Sequence, residues 1–192
     1  MGTQGRRGVD RAFCGSVAEE VLRTAPCPVL TTRAIWEEET GPDRPDPIDQ
    51  VVAPVDFSGP SRAALQYAAR LASIYEVPLT LVHVVHVPKF PAAYGFEFSS
   101  ASRQDLEARV QQDLEAWKED VDSGVSSGSC IVKSGNPVRS ILGAASTPGD
   151  LLVMATRGLS DVKRTMLGSV AEGVLRQASG PVLSGRSFPT AP

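Results

Sequence analysis

One glycine-containing loop carries residue types that could hold an anion. It runs from Ala155 through Gly158 to Gly168 and Ser169, with nine residues between the last two glycines. Glycines at both ends of such a loop let backbone amides approach an anion, and the amino end of the following helix adds a favourable dipole. The spacing matches neither the Walker motif nor the dinucleotide GxGxxG fingerprint. We therefore predict a phosphate-binding loop of another type.

An alternation of strands and helices must position this loop. The run from Val51 to Val55 is apolar without alternation, as expected of a parallel strand covered on both faces. Helical patterns follow Ser58 and Ser169. Another helix is predicted after a capping box at Ser102 to Asp105, with an apolar side formed by Leu106, Val110, Leu114, Trp117 and Val121, and a short helix is predicted from Val138 to Ala145. The predicted strands are residues 51–55, 79–85, 130–132, 151–155 and 181–183. The alternation predicts an α/β fold, a doubly wound parallel sheet of five strands with helices on both faces.

Asp56 directly follows the first of these strands. In doubly wound sheets, ligands bind beyond the carboxyl ends of the strands, at the point where the strand order reverses. We therefore expect Asp56 and the loop from Ala155 to Ser169 to face one crevice.

An internal repeat divides the chain. Residues 1–33 align without a gap to residues 154–186, with 18 of 33 positions identical. This predicts the end of a first domain copy at residues 1–33, an acidic, proline-containing linker at 34–47, a complete copy at 48–186 and a tail at 187–192. Two origins stay open: an internal methionine of a longer tandem gene, or loss of the 5′ portion.

The loop resembles the GxxGx(9)G(S/T) signature of the universal stress protein family. Three further stretches resemble family elements, namely VVAPVDFS from Val51, LTLVHVV from Leu79 and GSVAEGVLR from Gly168. The resemblance covers residues 48–186 and the repeat at 1–33. It implies the strand order 3-2-1-4-5 of the adenine nucleotide alpha-hydrolase-like fold.

The resemblance also implies the residues of a nucleotide site. Adenosine would meet Pro54 and Asp56 at the first strand, and Val84 would line the adenine pocket. The residues that would hold phosphates are Ala155, Gly158, Gly168 and Ser169. Ala155 departs from the pattern, which has glycine there. If that position needs a left-handed backbone, the methyl group costs about 1 kcal/mol.

Structural roles compete with these assignments. Ser169 and Glu172 have the spacing of a capping box, so the serine could serve only to begin its helix. Asp56 could cap the turn before Ser58. His83 and His86 have no further ligand at metal spacing, so we expect structural histidines and no metal site.

Two functions follow from the resemblance. The first is a cytoplasmic stress-response module that binds ATP or a related adenine nucleotide, with any Mg²⁺ carried by the nucleotide. The loop has no obvious general base or nucleophile, so we expect no efficient ATPase, although weak hydrolysis stays open. The second is a dimerising universal stress protein that binds no nucleotide and acts as a protein-interaction scaffold. Ala155 favours the second function, and the intact glycines favour the first.

Charge and hydropathy exclude other partners. The net charge of −3 provides no basic field for nucleic acid. No apolar run approaches the roughly 18 to 20 residues that span a bilayer, and the first residues do not resemble a secretory signal. Family members commonly dimerise through their last strands. We therefore expect either a homodimer or a pairing within the chain between residues 28–32 and 181–184.

Overall fold

The computed structural model describes residues 16–32, 48–85, 100–121, 128–158 and 167–189. The predicted linker and most of the loop after Gly158 lie outside these residues. The helices are α1 (Ser16–Thr24), α2 (Gly59–Tyr75), α3 (Ser100–Val121), α4 (Pro137–Ala144) and α5 (Ser169–Gln177). The strands are β1 (Val29–Thr31), β2 (Gln50–Pro54), β3 (Leu79–Val85), β4 (Cys130–Ser134), β5 (Asp150–Ala155) and β6 (Val182–Gly185).

One sheet contains all these strands, in the order β1-β6-β5-β2-β3-β4. The strands β4-β3-β2-β5-β6 are parallel and have the predicted order 3-2-1-4-5, so the predicted fold class is confirmed. The predicted count of five is wrong for the whole sheet. β1 adds a sixth strand because it pairs antiparallel with the edge of β6.

Helices cover both faces of the sheet. Val51 and Ala53 pack into a cluster that includes Leu65 of α2 and Leu114 of α3. Val52 points to the opposite face, where its cluster includes buried residues of α4 and α5. Successive strand residues face opposite sides, so a β2 buried on both faces reads as the uniform apolar run seen in the sequence. No helix among the described residues is long and apolar enough to cross a membrane.

α2 begins where the sequence predicts. The Ser58 side chain caps the helix by accepting a hydrogen bond from the Ser61 N–H at 3.2 Å, and a proline occupies the first turn. The helix ends at Glu76, which adopts the left-handed conformation with φ of 56°. The turn between β2 and α2 is therefore held from the helix side.

α3 differs from its prediction at its start. It includes Ser100, so the proposed capping box at Ser102 lies inside the helix rather than at its beginning. Leu114 and Val121 are buried as predicted, whereas Leu106 is exposed. The letters of a capping box also occur within helices, and the chain that precedes them decides where the first turn forms.

α1 and β1 dock on the edge of the sheet. The register pairs Val29 with Ser184, Leu30 with Leu183 and Thr31 with Val182. Leu30 is the repeat equivalent of Leu183, because the two positions differ by the repeat offset of 153 residues. Two equivalent strands therefore pair antiparallel, and a local pseudo-twofold axis relates them at these two leucines. The predicted pairing within the chain is confirmed for these strands.

Ser184 is a destabilising residue in the pairing of β1 with β6. Its side chain is fully buried, and its Oγ has no hydrogen-bond partner among the described residues. Its repeat equivalent, Thr31, donates to the Val182 carbonyl at 3.1 Å. We expect Ser184→Ala to raise the free energy of unfolding by about 1 kcal/mol, because an unpaired buried hydroxyl is removed. Urea denaturation measures the change.

The opposite sign is expected for a matched variant. Thr31→Val keeps the shape and loses the hydrogen bond, so it should lower the free energy of unfolding by about 1 kcal/mol. A Ser184→Ala protein that unfolds at lower urea than its parent would show that the hydroxyl is satisfied.

Candidate functional site

A crevice forms where β2 parts from both of its neighbours. The β2–β3 ladder ends at Pro54 and Val82, and the β2–β5 ladder ends at Val52 and Leu152. β3 and β5 each continue for three more residues beside their outer partners, β4 and β6. The crevice therefore lies at the predicted position, where the strand order reverses at the carboxyl end of the sheet.

Pro54 explains why the β2–β5 ladder ends early. The N–H groups of Val51 and Val55 donate to the carbonyls of Pro78 and Val82, at 2.9 and 2.8 Å. Both bonds point toward β3. Backbone groups of successive residues point to alternate sides of a strand, so the backbone nitrogen of residue 54 faces β5. Proline has no N–H to donate there, and the ladder cannot continue through it.

A cavity of ≈ 260 Å³ occupies the crevice. All the residues predicted for the nucleotide site line it, namely Pro54, Asp56, Val84, Ala155, Gly158, Gly168 and Ser169. Sequence reasoning missed much of its apolar wall, which includes Val82, Pro137, Ile141, Met154 and Val170. For Pro137 and Ile141, the sequence offered only the apolar side of α4, and such a pattern is equally typical of residues that pack in the core.

The Asp56 carboxylate is held by the turn that follows β2. Its Oδ1 accepts a hydrogen bond from the Ser58 N–H at 3.0 Å, so the alternative role of capping this turn is confirmed. Phe57, between them, adopts φ of 61°, a conformation that costs a bulky residue energy. The turn role does not remove Asp56 from the cavity, which it lines.

Gly158 lies directly against this carboxylate. A Cβ at position 158 would overlap the Oδ2 of Asp56. The backbone of Gly158 is not in the left-handed region, so the glycine is needed for close approach rather than for its conformation. The contact joins the ends of β2 and β5 across the crevice.

The amino end of α5 completes the crevice. Gly168 is the N-cap, and it has no side chain to bond the first N–H groups of the helix. Ser169 is exposed and is the first helical residue. The capping-box interpretation of Ser169 is therefore wrong, because the cap lies one residue earlier. Glu172 instead pairs with Arg176 on the helix surface.

Ala155 does not carry the strain that its departure from the glycine pattern suggested. It is the last residue of β5, is paired with Gly185, and is not among the positive-φ residues Phe57 and Glu76. The cost of about 1 kcal/mol for a left-handed backbone therefore does not arise. Its methyl group remains at the wall of the cavity.

Charged groups are few at the cavity. Among the described residues that line it, Asp56 and Arg157 are the two with charged side chains. His83 also lines the cavity, and its Nδ1 lies 2.7 Å from the Val55 carbonyl. Within the described ranges, no three His, Cys, Asp or Glu side chains cluster as metal ligands do. The site is thus a mostly apolar cavity with a few polar residues in its lining.

Sequence comparison identifies relatives. The model of the universal stress protein family matches residues 1–33 and 47–184. Universal stress protein Rv2005c of Mycobacterium tuberculosis is 30% identical over 190 residues, which are 97% of this chain and 60% of the relative. Universal stress protein MJ0531 of Methanocaldococcus jannaschii is 31% identical over 142 residues, 70% of this chain and 79% of the relative. The chain thus spans about 60% of the length of the mycobacterial relative.

Solved structures share the fold. Protein MJ0577 of Methanocaldococcus jannaschii matches with a TM-score of 0.62 at 23% identity, covering 77% of this chain and 100% of that one. Protein PA1789 of Pseudomonas aeruginosa matches with a TM-score of 0.65 at 17% identity, covering 97% of this chain and 62% of that one. With the family model matched over both stretches, the chain belongs to the universal stress protein family.

Proposed function

We propose that this chain binds ATP or a related adenine nucleotide in the crevice beside β2. The observation that carries the proposal is the convergence of Asp56, Gly158 and Ser169 on one cavity. These residues follow β2, follow β5 and begin α5, so separate parts of the sequence meet at one place. An apolar cavity with a few convergent polar groups is the usual form of a small-molecule site.

In this proposal, different residues of the cavity bind different parts of the nucleotide. Adenosine lies against Pro54 and Val84, with Asp56 beside it. The phosphates lie at Gly158 and at the N–H groups of the first turn of α5, where the helix dipole favours an anion. Mg²⁺ would enter only as the ion that the phosphates carry.

One structural relative supports the ligand class. A universal stress protein solved in complex with cAMP, an adenine nucleotide, matches this chain with a TM-score of 0.56 at 20% identity. That match supports a shared fold, and it makes cAMP a ligand to compare with ATP. We further propose a cytoplasmic binding module rather than an efficient ATPase.

The domain organisation belongs to the same proposal. Residues 1–33 would be the end of a first universal stress domain, residues 34–47 a linker, residues 48–186 a complete domain and residues 187–192 a tail. The separate family matches at 1–33 and 47–184 support this division. The place of β1 beside β6 supports it as well, because the two strands are repeat equivalents.

Released ligand tests the proposal most directly. The purified protein is denatured and its supernatant is chromatographed, and nucleotide-free protein is then titrated calorimetrically with ATP, ADP, AMP and cAMP. GTP serves as the control for the base. We expect an adenine nucleotide to be released or to bind, and GTP to bind more weakly. No release and no heat with any of these ligands would reject nucleotide binding and favour the dimerising scaffold.

A further inference from the structure

His83 makes a contact that the nucleotide site as described does not use. Its Nδ1 lies 2.7 Å from the Val55 carbonyl, and that carbonyl can only accept. The imidazole must therefore donate from Nδ1. The bond joins a β3 side chain to Val55, the residue between the end of β2 and Asp56.

The His83 hydrogen bond takes the place of a backbone hydrogen bond of the sheet. The N–H of Val55 still donates to the Val82 carbonyl at 2.8 Å, but the ladder ends at the pair of Pro54 and Val82. In a continuing parallel ladder, the Val55 carbonyl would accept from a backbone N–H of β3. The imidazole bonds that carbonyl instead, so the chain that leaves β2 at Val55 stays held to β3 while the two backbones separate.

His83 also holds the residue after Asp56. The Phe57 ring packs on the imidazole with ring centroids 4.8 Å apart, and its other contact is edge-on with Trp117 at 5.1 Å. These ring contacts help to offset the cost of the positive φ at Phe57. Asp56 is thus flanked on both sides by residues that His83 contacts.

We propose that His83 is a positioning residue for the nucleotide site, which holds the Asp56 carboxylate against Gly158 through its Nδ1 hydrogen bond to the Val55 carbonyl. The inference rests on the proposed nucleotide binding for its effect on affinity. The placement of Asp56 can be measured without any nucleotide, so the two proposals can fail separately.

Two variants separate the hydrogen bond from the ring stack. His83→Asn keeps a donor close to the position of Nδ1 and loses the ring, whereas His83→Phe keeps the ring and loses the donor. We expect ATP affinity to fall about fivefold in His83→Phe and to stay within about twofold of the parent in His83→Asn. The reverse order would overturn the proposal.

A double-mutant cycle tests whether His83 acts through Asp56. In an Asp56→Ala background, His83→Phe should lower ATP affinity no further, whereas a general packing defect would add its full effect. Additive losses in the cycle would overturn the proposal.

Backbone amide spectra provide the readout that needs no ligand. In nucleotide-free protein, the N–H residual dipolar couplings of Asp56 and Gly158 should change in His83→Phe and keep the parent values in His83→Asn, because they report the orientation of the backbone and are insensitive to the ring current of the imidazole. Unchanged couplings in His83→Phe would overturn the positioning role. If the parent itself binds no ATP, the nucleotide proposal falls, and these couplings still decide the role of His83.

Discussion

Replacing Gly158 with alanine should lower the affinity for ATP about thirtyfold. The added Cβ would overlap the Oδ2 of Asp56, and the Ser58 N–H holds the other oxygen of that carboxylate at 3.0 Å. Either the carboxylate turns away from the crevice or the loop after β5 moves outward. Both responses separate groups that are proposed to meet one nucleotide, and overpacking of this kind typically costs about 1–3 kcal/mol.

Gly143→Ala is the matched control. Gly143 lies in α4, and a Cβ there meets nothing within 4 Å. The same chemical change should leave ATP affinity unchanged and stabilise the helix by about 0.5–1 kcal/mol. Calorimetric titration of both variants with ATP gives the comparison. A Gly158→Ala protein that binds ATP as tightly as Gly143→Ala would place the nucleotide elsewhere.

Replacing Leu22 with aspartate should release α1 and β1 from the sheet edge. Leu22 is 2% exposed and packs in the cluster that contains Val182 of β6. The substitution removes a buried apolar side chain and places a carboxylate among apolar groups, at a cost of about 4 kcal/mol. Because β1 contributes only a three-residue strand at the edge, we expect local release rather than unfolding of the whole domain.

Val17→Asp makes the same change on the exposed side of α1. Val17 is 70% exposed, so this control should behave as the parent does. Hydrogen exchange of the β1 amides, read by mass spectrometry, measures the release. Protection should fall about a thousandfold in Leu22→Asp, which corresponds to a loss of about 4 kcal/mol. Equal protection in both variants would show that β1 is held without the α1 contact.

Release should also change the oligomeric state. β6 would lose its antiparallel partner, and an unpaired edge strand readily pairs with another chain. The pseudo-twofold register lets the edge of β6 pair with a second β6 about Leu183. Light scattering should therefore detect dimers of Leu22→Asp at concentrations where Val17→Asp has the mass of the parent.

The sequence alone determined the architecture of residues 48–186. Its central strands are uniform apolar runs because both faces of the sheet are covered. The start of α2 is predicted by Ser58 and Pro60, because capping and the fixed backbone of proline act locally. The repeat identified β1 as the equivalent of β6. The signature glycines also located the cavity, because a βα loop must follow the carboxyl end of its strand.

The starts of helices were less predictable. The Ser169 box and the Ser102 box have similar letters, yet Ser169 is the first helical residue of α5 and Ser102 lies inside α3. In both cases the serine lies within the helix rather than at its N-cap. Capping depends on where the preceding chain leaves the last strand or loop, and the letters of the box do not contain that information.

Contacts across the crevice came only from the tertiary structure. Gly158 meets Asp56, His83 bonds the Val55 carbonyl, and Ile141 of α4 closes the apolar wall. Each contact joins parts of the chain that are distant in sequence, and its existence depends on the register of the sheet and on where each ladder ends. Local pattern specifies which segments become strands, whereas register is set by packing of the whole core, so the partners of each site residue were decided only by the folded chain.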